Sequence, residues 1–382
     1  MLVIENGTIL RGPHLKPERG NMVIEDGVIK EITSERIPCR DRIDASGLIV
    51  APALVNSHVH LGDTVAMDEG DGRPLDEIVR PPDGIKHRIL ESSTPDELEG
   101  AMGSSVDFMM DHGTSAFVDY REGGIGGVEA IRRATDPSPV KGLILGRDPV
   151  IFDEDASPEE VRRRVRRILW VADGIAPSGM GEITDETAMI ITEECRRRGK
   201  IASIHVAEHR KSQIRSLEET GMTEVERALR AGFRLLVHLT HPMRDDLELV
   251  RSSGADVVIC PRSNGALAAG IPPVKRMHEM GINLLLGTDN VMFTSPDLFR
   301  EMEYTLRVTR GITGEYFPPV EVLRMATSNA RKLTGTGCLE EGFQADIMVT
   351  EKPSANPYLS LINRTESKNI IYLIIKGKLV KR

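Results

Sequence analysis

Cysteine is scarce in this chain of 382 residues: Cys39, Cys195, Cys260 and Cys338 stand far apart, and no C-x-x-C pair occurs. That excludes a disulfide framework and a cysteine zinc knuckle, and it fits a reducing, cytoplasmic setting. Long apolar runs are also missing. No stretch approaches the roughly 20 apolar residues that span a bilayer, and Met1–Gly12 lacks the basic and apolar regions of a signal peptide. Neither membrane insertion nor secretion is expected. Positive charge is not in excess either. Lys and Arg total 49 against 58 Asp and Glu, a formal net charge of -9 that argues against a nucleic-acid surface and for a small-molecule partner. The one arginine run, Arg162–Arg167, lies in the helical pattern Pro158–Ala172 behind two glutamates and is expected to be a solvated helix face.

Hydrophobic residues make up 40% and charged residues 28% of the chain, enough for a large core under a well-solvated surface. The length suits a barrel of roughly 250 residues with an appended unit. Up to residue 50, β-rich runs (Leu2–Leu10, Met22–Ile32, Arg42–Val50) surround the turn signals Asn6-Gly7, Asp26-Gly27 and Ser46-Gly47. From Ala51, apolar strands alternate with amphipathic helices. The strands are expected at Ala53–His58, Thr114–Tyr120, Val140–Arg147, Asp173–Ser178, Ile201–Glu208, Phe233–His241, Ala255–Pro261 and Ile282–Asn290. The last helical pattern, Pro318–Leu333, is followed by β-rich text at Ala345–Lys352 and Ile370–Lys381. The expected fold is α/β: a (β/α)8 TIM barrel over residues 51–336, with a small β-sandwich domain built from residues 1–50 and 337–382. The longest connection inside the barrel, Leu61–Ser93, is rich in Pro, Gly and Asp and is a candidate substrate cover.

Polar groups close several of the apolar strands. His58 and His60 stand two apart on the first strand and so point to one side. His205 and Glu208 end the fifth strand, His238 and His241 the sixth, and Asp289 the eighth. A lone H-x-H pair is weak evidence, but barrel strand ends share one rim, where residues distant in sequence converge. Imidazole nitrogen with carboxylate oxygen suits Zn2+ and also Fe2+ or Mn2+. The glycine-rich stretch Gly123–Gly127 lacks the ending of a P-loop and the spacing of a dinucleotide fingerprint, so it is expected to be a plain loop.

On LVNSHVHLGD (54–63), HVAEH (205–209), VHLTH (237–241), CPRSNGALAAGIPPV (260–274), LLLGTDN (284–290) and GCLEEGFQADIMV (337–349), the chain resembles the amidohydrolase superfamily. Within it, the likeness is to the branch of aromatic deaminases and triazine-type chlorohydrolases, with cytosine, guanine and S-adenosylhomocysteine deaminases among the relatives. The resemblance implies that His58, His60, His205 and Asp289 hold one divalent metal, zinc before iron or manganese, with water in an open position. It further implies that Asp289 takes the proton of that water, His238 hydrogen-bonds the nucleophile, and Glu208 passes protons to the substrate ring and the departing ammonia. His209 and His241 are expected to have supporting roles. Binuclear relatives bridge two metals through a lysine on strand three or four; here Lys141 lies at the wrong end of strand three, so a single metal is expected. The implied activity is deamination of a small aminated heterocycle of purine, pyrimidine or pterin type. Opening of a cyclic amide, displacement of halide, or a non-catalytic scaffold are the alternatives. Arg121, Arg147 and Asn264 are candidate substrate contacts, and a homodimer is the expected assembly.

Overall fold

Where the chain runs apolar without polar alternation, it forms strands covered on both faces. The computed structural model describes residues 1–73, 77–78 and 84–381. Within it, β6 (Leu54–His60) and β7 (Thr114–Arg121) are buried at every position, as strands enclosed by helices must be. They are followed by β8 (Lys141–Gly146), β9 (Gly174–Ile175), β10 (Ile201–Val206), β11 (Leu235–His238), β12 (Asp256–Ile259) and β13 (Leu284–Leu286), each parallel to its predecessor. β14 (Asp289–Asn290) returns to pair with β6, Asp289 opposite Val59 and Asn290 opposite His60.

The expected eighth strand is therefore split. Its first part pairs with β12 and its second with β6, and this closes the sheet into a barrel. The break falls at Gly287 and Thr288, where the two backbones come too close for a side chain. A Cβ on Gly287 would lie 2.6 Å from His58 Cβ and 2.9 Å from the His58 backbone nitrogen and oxygen. Asn56 bridges the gap: its Oδ1 accepts from the Thr288 N–H at 3.1 Å, and its Nδ2 donates to Thr288 Oγ1 at 2.7 Å.

Helices begin at side-chain caps. Thr94, Ser157, Thr184 and Thr223 each accept the hydrogen bond of a first-turn N–H, and the helices they start pack apolar faces on the barrel. The arginine run is less solvated than expected. Arg162 and Arg166 reach across to Glu194 on the next helix at 2.8 and 3.0 Å. Burial pushes the Glu194 carboxyl up, but hydrogen bonds from Arg166, Arg162 and Arg198 outweigh it and hold it down at about 2. The pattern Pro318–Leu333 is not one helix but Pro319–Met325 and Arg331–Thr334 with a short turn between them. The Ala326 carbonyl is taken by the Val55 N–H of β6, which pulls the chain out of helical register. Helices at Arg210–Thr220, Pro261–Ala266 and Pro357–Arg364 were not anticipated, since they are short or lack an apolar stripe. Parts of the Leu61–Ser93 connection lie outside the described residues; the rest holds a 3-10 turn at Leu61–Ala66 and a helix at Ile85–Ser92. Among the described residues, no helix is long and apolar enough to cross a membrane.

The terminal segments form one continuous sheet of eight strands instead of two facing ones. β1 (Leu2–Arg11) pairs with β2 (Lys16–Glu25) on one edge and with β4 (Arg42–Asp44) and β5 (Ile49–Pro52) on the other. β2 leads to β3 (Val28–Thr33), and β5 to β15 (Ile347–Thr350), β16 (Ile370–Ile375) and β17 (Lys378–Lys381). A bridge from Val28 to Gln344 curls this sheet around a core that includes Ile4, Ile9, Met22, Val50 and Ile347. Only Ala53 separates β5 from β6, so the small sheet feeds directly into the first barrel strand.

The Gly287 contact yields a prediction. Gly287→Ala inserts a methyl group against His58 and should destabilise the protein by about 1–3 kcal/mol, measured as a lowered denaturant midpoint. An unchanged midpoint would show that the barrel seam can open without cost.

Candidate metal centre

His58 and His60, both on β6, enter the barrel mouth from one face, as their spacing requires. His205 comes from β10, His238 closes β11 and Asp289 opens β14. The structure brings these five side chains together. His58 Nε2 lies 3.1 Å from Asp289 Oδ1 and 3.3 Å from His205 Nε2, and His60 Nε2 lies 3.5 Å from the same Asp289 oxygen. Donors placed 2.0–2.1 Å from a tetrahedral ion are separated by about 3.3–3.4 Å, so the set has the dimensions of a zinc-sized site. Distance groups the donors in two ways: the ligand atoms of His58, His60 and His205 lie within 4.8 Å of one another, and so do those of His58, His238 and Asp289.

Electrostatics favours metal-ready imidazoles. Burial, followed by the charge of Lys86 for His60 and of His58 for His205, pulls both rings well below the ordinary histidine range. They are thus neutral at pH 7. His58 is lowered too, mainly by burial. His205 Nδ1 faces the Pro177 carbonyl at 3.3 Å, an arrangement that keeps the proton on Nδ1 and leaves the Nε2 lone pair free. Burial raises the Asp289 carboxyl, but the hydrogen bond with His58 and the charges of the histidines hold it well below its usual range. Its second oxygen, Oδ2, accepts a 2.6 Å hydrogen bond from Ser263. Beneath the rings, Tyr120 meets His58 edge-on at 4.1 Å between centroids and bonds Ser203 through its hydroxyl.

The rim backbone is strained where these groups sit. Ala207, His238, Leu239 and Asp289 all have positive φ, at 51°, 74°, 49° and 61°, a conformation that costs energy in any residue but glycine and that clusters at functional sites. Glu208, one residue past Ala207, is the partly exposed member of the group. Its Oε2 lies 3.6 Å from His238 Nε2 and its Oε1 3.6 Å from His209 Nε2. The bend at Ala207 is held by Glu224, a buried carboxylate on a separate helix that accepts from the Ala207 N–H at 2.8 Å and from Ser212 Oγ at 3.1 Å. His241 bonds the Ala269 carbonyl at 2.6 Å and ties two rim loops together, away from the cluster.

Arg121 and Arg147 are near the site but already engaged. Arg121 contacts Glu122 at 2.8 Å and Asp119 at 3.5 Å; Arg147 contacts Glu122 at 2.5 Å and Ser178 at 2.7 Å. An incoming anion would compete with a seated carboxylate. Lys86 joins them, buried between Asp63 at 2.7 Å and Glu122 at 2.8 Å. Glu122 in turn lies 3.9 Å from His60 Nδ1. Asn264, fully buried, places its Nδ2 3.3 Å from His238 Nδ1. Sequence reasoning missed Lys86, Glu122 and Glu224, because an isolated charged residue in a loop or helix gives no spacing signal.

The barrel and its rim define a class: enzymes that gather histidines and carboxylates at the C-terminal ends of parallel strands. The chain belongs to the amidohydrolase family, whose pattern matches residues 49–380. It is 72% identical over 382 residues, with both chains covered completely, to a protein of Methanothermobacter thermautotrophicus that carries a provisional aminohydrolase name. It is 26% identical over 404 residues to the 5-methylthioadenosine/S-adenosylhomocysteine deaminase of Pyrococcus furiosus, covering 99% of this chain and 94% of the relative. Among solved structures, a zinc-bound adenosine deaminase from Xanthomonas campestris matches with a TM-score of 0.86 at 19% identity, over 100% of this chain and 92% of the other. An atrazine chlorohydrolase from Arthrobacter aurescens complexed with zinc matches at 0.87 and 17%, over 100% and 95%. The expected family, and the expected barrel with a separate unit built from both termini, are therefore borne out.

Glu224 gives the second prediction. Burial raises its carboxyl from the ordinary 4.5 to about 6, so the folded state favours its protonated form. Its contribution, of order 2 kcal/mol, is present below pH 4.5 and lost as pH rises to 6. Relative to Glu224→Gln, the wild type should lose stability across that window and stay parallel above it. Parallel denaturation midpoints throughout would refute a raised carboxyl.

Proposed function

We propose that this protein is a metal-dependent aminohydrolase that releases ammonia from a small aminated heterocycle, a purine before a pyrimidine or pterin, with zinc as the metal. The observation that carries the reading is the convergence of His58, His60, His205 and Asp289, with His58–Asp289, His58–His205 and His60–Asp289 donors 3.1, 3.3 and 3.5 Å apart. A divalent ion held there supplies Lewis acidity and a water of lowered pKa. The nearest strand-three and strand-four ends offer Arg147 and Ser178 but no lysine to bridge a second ion, which supports one metal.

The chain's own residues do the rest. Asp289 turns Oδ1 to the histidines and keeps Oδ2, oriented by Ser263, as the oxygen that receives a proton. His238 holds the oxygen nucleophile in line by a hydrogen bond. Glu208, at the lip, protonates a ring nitrogen, takes up the remaining proton of the attacking oxygen as the carbonyl forms and delivers it to the leaving amine, and the proton collected by Asp289 returns Glu208 to its acid form. Purines come first because deaminases named for 5-methylthioadenosine and S-adenosylhomocysteine, or for 5'-deoxyadenosine, match nearly the whole chain. The unpaired state of all four cysteines supports a cytoplasmic setting.

The test is ammonia release by zinc-loaded protein across aminated purines, pyrimidines and pterins, with a chelator control. Chelator-sensitive release is expected; silence on every ring with one metal bound per chain would reject deamination. Glu208→Gln should keep the metal and lose at least about 100-fold in turnover, whereas His205→Ala should lose metal and turnover together. Near-normal turnover in Glu208→Gln would remove the proton-shuttle role.

A further inference from the structure

We infer that Asn264 fixes His238 as the tautomer that carries its proton on Nε2, so that His238 is a hydrogen-bond donor beside the metal ligands and not one of them. The inference deepens the aminohydrolase reading and rests on it.

Distance alone does not separate the two roles, because the ligand atoms of His58, His238 and Asp289 lie within 4.8 Å of one another, as do those of His58, His60 and His205. The hydrogen-bond partner on the far side of the ring does separate them. Asn264 Nδ2 lies 3.3 Å from His238 Nδ1, and both residues are buried. Asn264 sits in the short helix Pro261–Ala266, its N–H bonded to the Cys260 carbonyl at 3.0 Å and its carbonyl to the Ala269 N–H at 2.9 Å. His238 stands at a left-handed backbone position, φ 74°, at the end of β11.

With Nδ2 donating, Nδ1 is an acceptor, and the ring proton must reside on Nε2, the nitrogen that faces Glu208 at 3.6 Å. A protonated nitrogen has no lone pair for a metal. The reversed amide would put the proton on Nδ1 and free Nε2 as a ligand. The two orientations leave different orphans: as placed, only the Asn264 carbonyl oxygen lacks a partner, whereas the reversed amide would bury an unpaired NH2 group. Orphan donors are rarer in folded proteins than orphan carbonyls. The donor orientation therefore wins, and it gives His238 an N–H aimed at the site where the nucleophile must lie. Asn264 is then a positioning residue acting through His238, and not the substrate contact its place in the sequence implied.

The experiment is nitrogen NMR on the full-length protein with 15N-labelled histidine, loaded with 113Cd in place of zinc. The expected spectrum shows metal coupling to His58, His60 and His205 and none to His238, with His238 protonated on Nε2 only. Metal coupling to His238 Nε2, or a proton on its Nδ1, overturns the inference while leaving the aminohydrolase reading intact; failure to bind cadmium or zinc at all defeats that reading first. Asn264→Asp, which can only accept, should move the proton to Nδ1. In Asn264→Ala, kcat should fall about 10- to 100-fold with KM within about twofold and metal content unchanged. A raised KM at constant kcat would instead make Asn264 a substrate contact.

Discussion

The backbone of the eighth strand can meet that of the first only because residue 287 is glycine, and the geometry of the site depends on this closure. Gly287 sits against the His58 backbone. Regular pairing stops there, Asn56 spans the gap, and the chain emerges at Asp289 in a left-handed turn. That turn sets Asp289 Oδ1 3.1 Å from His58 Nε2. A continuous strand would leave Asp289 to the alternation of the sheet. The ladder hydrogen bonds lost at the seam are replaced by two from one amide side chain, so the barrel stays closed while the carboxylate is free to be aimed.

Much of this was legible in the sequence, for a physical reason. A polar residue at the end of an otherwise apolar strand is costly unless it is used, and His58, His60, His205, His238 and Asp289 all stand in that position. The number of barrel strands followed from the apolar runs. What could not be read was whatever depends on distance across the fold. The break in strand eight arises from a contact 229 positions away in the chain, between His58 and Gly287. Lys86 lies in a polar connection with no periodicity, yet its amine is buried between two carboxylates. The arginines at 121 and 147 looked like open forks because their partner, Glu122, is only one more charged residue in the sequence.

Beside the donor cluster lies a second buried polar unit, with Asp63, Asp119 and Glu122 matched against Lys86, Arg121 and Arg147. Balanced charge is what makes such burial tolerable, since removal of one partner from a buried pair typically costs 3–5 kcal/mol. Its placement gives it a structural use. Asp63 follows β6, Glu122 follows β7 and Arg147 follows β8, so the ion pairs join three strand ends across loops that have no ladder of their own. With Glu224 holding the bend after β10, the rim is braced on both sides of the histidines by carboxylates that do not belong to the donor set.

The single residue between β5 and β6 has a consequence for the order in which the molecule can be assembled. β5 needs β15 as its antiparallel neighbour, and β15 lies almost 300 residues further along the chain. On a ribosome, the strand that carries His58 and His60 is thus made early, tethered to a sheet whose other half does not yet exist. The β5 edge next to it gains its antiparallel neighbour only after β15 has been made.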